Sequence, residues 1–435
     1  MNEFALGILA CIFVLVFLLT GIELAFAIGI TGFVGFAWLS GFDSAGSIIA
    51  QDIFDNFTNY GLTVFPLFLL MGYIANNAGI AQRLYGAANK FVGRVPGGLA
   101  MATVVAATMF KAMCGSTLAT AAAFSNFAVP EMMRYRYSRK LSTGIVASVG
   151  TIGILIPPSI AMIIYGVITE QSIGKLFLAG IIPGLLIAGL FIVIIYVWCK
   201  IDPSVGPKSE EEFTWKEKAQ ALPEFFVVLI IFVGIIGGIM KGFFTPTEAG
   251  SIGTLAALVL ALSRKSLTLG VFVKSVDESL KTAMMVYLLI ACSAIFGRFL
   301  TITEIPQYTS DLLASLPVHR SLIMVGILFF YLLGGSFIED TAFMILATPV
   351  LFPALSKLGY DPIWFGVMVG VTIMVGTIIP PVAIGVFIVK QITGESFGTI
   401  YRGVVPFLAS LVFVAILLFL FPQIATFLPS KIMGL

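Results

Sequence analysis

The sequence predicts an all-α polytopic membrane protein made of two inverted repeats, each with five transmembrane helices and one re-entrant hairpin. Three observations carry that prediction: the composition, the lengths of the apolar runs, and a set of landmarks that recurs about 223 residues apart. Of 435 residues, 59% are hydrophobic and 11% are charged, whereas soluble domains lie near about 45–50% apolar and about 25% charged. A soluble chain of this size could not hide so much apolar surface, so lipid is the solvent that fits. The 44 glycines agree, because Gly is more frequent in membrane helices than in soluble ones.

Runs of about 20 apolar residues are long enough to cross a bilayer as helices. Spans are expected near residues 4–20, 24–40, 60–78, 141–168 and 176–199, and again near 223–241, 247–263, 279–300, 362–391 and 400–428. The first begins directly after Glu3, with no basic leader and no clear cleavage site, so it reads as a retained span. Two long apolar segments remain, near 96–135 and 319–357. Each is interrupted by a glycine-polar cluster, Cys114-Gly115-Ser116-Thr117 in the first and Gly334-Gly335-Ser336 in the second, which predicts two half-helices entering and leaving on the same side. Residues 40–59 are expected as an outside loop with Asp43, Asp52 and Asp55 and no Lys or Arg.

The repeat is legible in the order of landmarks. Gly153, Pro157 and Pro158 match Gly376, Pro380 and Pro381; Thr169, Ser172 and Gly174 match Thr393, Ser396 and Gly398; Gly180 and Pro183 match Gly403 and Pro406. Pro130 and Pro353 each precede a Pro-Pro pair by 27 residues, Gly115-Ser116 falls opposite Gly335-Ser336, and Glu23 falls opposite Glu248. The repeats are thus residues 1–199, with hairpin 96–135 and broken helix 141–168, and 223–435, with hairpin 319–357 and broken helix 362–391, joined by a cytoplasmic linker over 200–222. Five crossings per half is odd, so the second half runs upside down. Inverted repeats with helices interrupted near the midplane characterise secondary transporters. With the N-terminus outside, 17 basic residues fall inside and 6 outside, with Lys111 in the first hairpin, the orientation the positive-inside rule selects. Both termini are then periplasmic.

Broken helices persist in hydrocarbon only where protein, water or a ligand satisfies the freed backbone. At each break one half-helix offers carbonyls and the other N–H groups. Carbonyls with Ser/Thr hydroxyls suit Na⁺, and N–H ends suit a carboxylate. The candidates are Gly115, Ser116, Thr117 and Thr120 at the first hairpin, and Thr151, Gly153, Pro157 and Ser159 at the first break. In the second half they are Gly335, Ser336, Thr341, Gly376, Thr377 and Pro380. Ser116, Ser159 and Ser336 are the candidates for the substrate itself. Small residues also permit close helix packing, and both readings stand for any single one. Ionisable groups in a membrane are functional by default: Glu339 and Asp340 could carry an ion or proton or pair structurally, and Lys111 could pair with a carboxylate or attract an anion. Glu23 and Glu248 read as helix-start residues.

Other chemistry finds little support. Cys11, Cys114, Cys199 and Cys292 form no CxxC pair and read as small buried hydrophobes, and one histidine, His319, offers no metal cluster. With no P-loop or dinucleotide fingerprint, direct ATP drive within this chain finds no support, and nothing points to an enzyme or to nucleic acid. A channel fits poorly, because paired hairpins suit occlusion.

These residues resemble a known family. Gly115-Ser116-Thr117 through Thr120, Val129-Pro130-Glu131-Met132, Gly153 to Ser159, Thr245 to Ala249 and Ala347 to Pro353 are similar to the large membrane subunit of tripartite ATP-independent periplasmic (TRAP) transporters of the C4-dicarboxylate and sialic acid type. The resemblance implies an elevator-type fold in the bacterial inner membrane, with the hairpins and broken helices as transport domain and the other helices as scaffold. It also implies Na⁺ coupling through about two sites, a small four-helix membrane subunit, and a soluble periplasmic binding protein that delivers a carboxylate. A two-component Na⁺- or H⁺-coupled anion carrier working without a binding protein is the alternative, and a proton antiporter using Glu339 or Asp340 is a further one.

Overall fold

A computed structural model describes residues 3–208 and 211–433, so Ser209 and Glu210 of the expected linker, and the chain ends of the two expected repeats, lie outside the described residues. Every regular element among the described residues is helical. The first half runs α1 (Glu3–Leu19), α2 (Leu24–Ser40), α3 (Phe42–Thr58), α4 (Val64–Asn77) and α5 (Ile80–Val92). The hairpin α6 (Gly98–Cys114) and α7 (Thr117–Arg134) follows, then α8 (Arg139–Val149) and α9 (Ile160–Ile168), and α10 (Ile173–Ile201). The second half runs α11 (Trp215–Met240), α12 (Pro246–Ser263), α13 (Leu269–Ile302), α14 (Ile305–Ser315), α15 (Arg320–Phe337) and α16 (Asp340–Leu358). It closes with α17 (Pro362–Gly376), α18 (Ile384–Thr393), α19 (Phe397–Leu420) and α20 (Gln423–Met433).

Seven of these helices (α10 to α13, α15, α16 and α19) are long and apolar enough to cross a membrane, and α3 with α4, bent by 52°, makes an eighth if counted as one span. The protein is therefore a polytopic helical membrane protein. Helices α1 and α2 have 17 residues each, about 25 Å at 1.5 Å per residue, a little short of a hydrocarbon core of about 30 Å.

Four expectations need correction. Residues 40–59 form helix α3 rather than a loop. Its aspartates interrupt the hydropathy, but Ala45 and Asp52, about two turns apart on one helical face, turn inward, and Asp52 pairs with Arg298 of α13 at 2.7 Å. The linker is shorter than 200–222, because α11 begins at Trp215 behind a capping box in which Thr214 and Glu217 satisfy each other's backbone N–H. The last span, expected over 400–428, divides at Phe421-Pro422 into α19 and α20, where Pro removes a helical N–H.

The fourth correction concerns the second hairpin. Its break does not fall at Gly334-Gly335-Ser336, which lie within the last turns of α15, with Ile338 N–H still donating to Gly334 O at 2.9 Å. The break comes at Ile338-Glu339, where the Glu339 carboxylate accepts Ala342 N–H at 3.0 Å and starts α16. The glycines serve packing instead: a Cβ on Gly334 would lie 1.9 Å from the Phe343 ring. The Gly115-Ser116 break of the first hairpin lies where expected.

Close approach of small residues sets the packing elsewhere too. Helices α8 and α19 cross with Gly144 against Gly403, where a Cβ on Gly144 would come within 2.3 Å of the Gly403 carbonyl carbon. Such contacts let backbones meet where lipid supplies no hydrophobic drive.

Candidate functional site

At the first tip, α6 ends at Cys114 and the chain reverses through Gly115, whose φ of +61° suits glycine alone at little cost. Ser116 then caps α7, its Oγ accepting Ala119 N–H at 3.3 Å. The fully buried Lys111, one turn back, donates from Nζ to Ser116 O at 2.6 Å, and Thr120 Oγ1 donates to the same carbonyl at 3.0 Å.

The tip rests on the first break, a 3₁₀ turn over Gly150–Ile154 followed by the Pro157-Pro158 bend. A Cβ on Gly115 would stand 2.7 Å from Pro158 O. A Cβ on Gly153 would stand 2.3 Å from Lys111 Nζ, so the absent side chain is the room the amine occupies. Thr151 Oγ1 donates to Ser148 O at 2.8 Å, and the buried Ser159 donates to Ile154 O at 2.6 Å while accepting Met162 N–H to cap α9.

The second tip rests on the second break differently. Ser336 O accepts Val382 N–H at 3.2 Å and Ala383 N–H at 3.3 Å, and Ser336 Oγ donates to Leu333 O at 2.7 Å. Gly376 lies against hairpin backbone: its Cβ would stand 2.7 Å from Leu332 O, 2.8 Å from Gly335 C and 3.0 Å from Ser336 N. Thr377 O accepts Gly385 N–H at 3.2 Å, just past the Pro380-Pro381 bend. Among the described residues no lysine or arginine hydrogen-bonds these oxygens.

The two tips meet. Thr117 Oγ1 donates to Asp340 Oδ2 at 3.0 Å across 223 residues of sequence, the separation of Pro157 from Pro380. Asp340 Oδ1 accepts the N–H and the hydroxyl of Thr341 at 2.9 and 3.3 Å. Beside this bond is a cavity of about 370 Å³. Gly115 to Leu118, Glu339 to Ala342, Ile160 and Ala161, Ile384, Glu23 to Ala25 and the middle of α13 line it. Each of the four interrupted elements thus brings a helix N-terminus to one space: α7, α9, α16 and α18. Its charged lining is Glu23, Glu339 and Asp340, with no Lys or Arg. A larger recess of about 590 Å³ beside Arg298 and Pro353 receives neither tip.

Of the sequence-derived candidates, Gly115, Ser116, Thr117, Glu339, Asp340 and Thr341 line the cavity. Lys111, Thr120, Thr151, Gly153, Pro157, Ser159, Gly335, Ser336, Gly376, Thr377 and Pro380 stand behind it. Sequence reasoning missed the α13 wall of Thr282, Met285, Val286 and Leu289, because one apolar face of a spanning helix carries no motif. Glu248, which the sequence landmarks set opposite Glu23, closes a capping box with Thr245, but Glu23 makes no cap hydrogen bond and faces the cavity.

The family model described as "Tripartite ATP-independent periplasmic transporter, DctM component" matches residues 11–424. The chain belongs to this family. As a DctM-family permease it is a transport protein rather than an enzyme, a multi-pass protein of the bacterial inner membrane. It is 34% identical over 404 residues to the sialic acid TRAP transporter large permease SiaM of Vibrio cholerae, covering 92% of this chain and 94% of that one. It is 35% identical over 391 residues to the C4-dicarboxylate TRAP transporter large permease DctM of Pseudomonas aeruginosa, covering 89% and 90%. Among solved structures, the YdaH transporter of Alcanivorax borkumensis is similar in fold, with a TM-score of 0.66 at 13% identity over 87% of this chain and 89% of that one.

Proposed function

We propose that this permease imports a carboxylate anion together with Na⁺ by alternating access, receiving the anion from a soluble periplasmic binding protein and working with a small four-helix membrane subunit. The observation that carries the reading is the cavity at which four helix N-termini converge beside three carboxylates. N-terminal amides favour a carboxylate. The acidic lining opposes one unless a cation enters too, which is the physical content of symport. At about 370 Å³, the space lies in the range of about 300–1,000 Å³ usual for small-molecule sites. The relatives named for sialic acid and for C4-dicarboxylates supply the substrate class.

The two hairpin–break pairs are the candidate places for sodium. The second pair fits a hard cation, with the Thr377 carbonyl retaining acceptor capacity beyond the Gly385 N–H and the oxygen of the Thr377 hydroxyl, which donates to Met374 O, still able to accept. The first presents Ser116 O and the Thr120 hydroxyl, with Lys111 already against them. In this reading the halves are inverted repeats. Hairpins and broken helices move together as an elevator-type transport domain, the other helices form the scaffold, and both termini are periplasmic.

Reconstitution in liposomes with the partner subunits tests the reading. Labelled sialic acid and C4-dicarboxylates are offered under an inward sodium gradient, with and without binding protein. Uptake needing both sodium and binding protein is expected. Uptake without the binding protein would indicate a two-component carrier instead, and uptake without sodium would move the coupling role to protons at Glu339 and Asp340. Ser116→Ala and Ser336→Ala are each expected to weaken sodium-dependent uptake; if neither changes it, the site assignment fails.

A further inference from the structure

We infer that the Lys111 ammonium is a built-in cation of the first hairpin, holding the place where a first sodium ion would bind, so that only the second half exchanges a cation during transport. The inference rests on the sodium-coupled reading and narrows it.

Three observations support it. Lys111 is fully buried, and Nζ donates to Ser116 O at 2.6 Å, the carbonyl that also accepts the Thr120 hydroxyl. The amine therefore sits on the oxygen cluster that would ligate an ion. Its stem and amine fill the space beside Gly153, where a Cβ would meet Cδ and Nζ at 2.3 Å and Cε at 2.5 Å. The break is open at that residue only because glycine stands there. Thirdly, the arrangement is one-sided. At the repeat spacing of 223 residues Lys111 corresponds to Gly334, which packs against the Phe343 ring and carries no charge.

The electrostatics forbid double occupancy. Two unit positive charges about 4 Å apart, at the effective dielectric near 20 that describes protein sites, repel enough to weaken the second by roughly a thousandfold. A charged Lys111 and a sodium ion on Ser116 O are thus mutually exclusive. Lysine in the last turn of α6 also complements the helix dipole, but a purely capping lysine would leave the sodium dependence of uptake unchanged.

The test uses the full chain with its partner subunits in liposomes, comparing wild type, Lys111→Met and Lys111→Arg for initial uptake against external sodium. In Lys111→Met the vacated place on Ser116 O binds an extra ion per cycle. Its sodium curve is expected to steepen, with uptake at one-tenth of half-saturating sodium falling roughly tenfold further than in wild type. Lys111→Arg keeps the charge and is expected to keep the wild-type slope. In parallel, the thermal stability of the purified protein is measured in sodium chloride and in choline chloride, and a larger sodium-specific rise in Tm is expected for Lys111→Met. Should that variant not fold, Lys111→Leu, neutral and unable to donate to Ser116 O, carries both readouts. Sodium-dependent wild type with an unchanged slope and unchanged Tm response in the neutral variant overturns this proposal alone. A wild type indifferent to sodium overturns the coupling reading and this proposal with it.

Discussion

At the first hairpin tip a lysine amine folds onto the carbonyl of Ser116; at the second, Glu339 and Asp340 stand at the same register and glycine replaces the lysine. The caps differ in kind as well. A neutral hydroxyl starts α7, and a carboxylate starts α16. Both tips perform the same structural task, ending one half-helix and starting another beside a Pro-Pro bend, yet they bring opposite charge to it. The difference teaches that the two tips share backbone geometry without sharing side-chain charge, because backbone groups must be satisfied at either tip while the charges need only balance across the pair. The Thr117–Asp340 hydrogen bond joins the tips where those charges meet.

Three pairs of substitutions would break or sharpen this contrast. The largest effect is expected from Gly376→Ala, whose new methyl meets backbone atoms at 2.7 to 3.0 Å that have no room to move. Overpacking of about 1–3 kcal/mol or more should lower Tm and abolish uptake. Gly153→Ala meets only the flexible end of Lys111, so its loss should be smaller and should be relieved in the Gly153→Ala/Lys111→Ala double variant. A double variant no better than Gly153→Ala would show that Lys111 does not occupy that space.

An intermediate effect is expected at the junction. Asp340→Asn keeps the shape and removes the charge, and hydrogen bonds to charged groups contribute about 1.5–3 kcal/mol. Uptake should fall by roughly ten- to a hundredfold, with Thr117→Val falling less because it spares the carboxylate. Equal losses in the two would mean that the bond, not the charge, is what matters. The smallest effect separates Glu23 from Glu248. Glu248→Ala should cost about 1 kcal/mol of stability through its capping box and leave sodium-dependent uptake intact. Glu23→Gln should leave Tm unchanged and alter uptake. Uptake kinetics unchanged by Glu23→Gln would remove that residue from the site.

Much of the helix inventory was legible because run length and hydropathy report a lipid solvent directly, and the Gly115-Ser116 break was legible because a left-handed residue followed by a serine cap is a local event. The second break falls about three residues beyond the glycines, since glycine permits a reversal without requiring one; the helix runs on through them to Phe337, and Glu339 caps the next. Helix α3 escaped notice because its aspartates lower the hydropathy of a segment whose periodicity is nonetheless helical.

By itself the sequence determined the membrane class, most of the long apolar helices, the Pro-Pro and first-hairpin breaks and the family. These depend on composition, on spacing along the chain, and on residues whose backbone preferences act locally. Only the tertiary structure decided that Thr117 touches Asp340, that α13 walls the cavity, that Glu23 faces it while Glu248 caps a helix, and that Lys111 fills the space beside Gly153. Each of these joins groups far apart in sequence or turns a side chain toward one neighbour rather than another. Such choices are made by packing and charge across the whole fold, and no local pattern carries them.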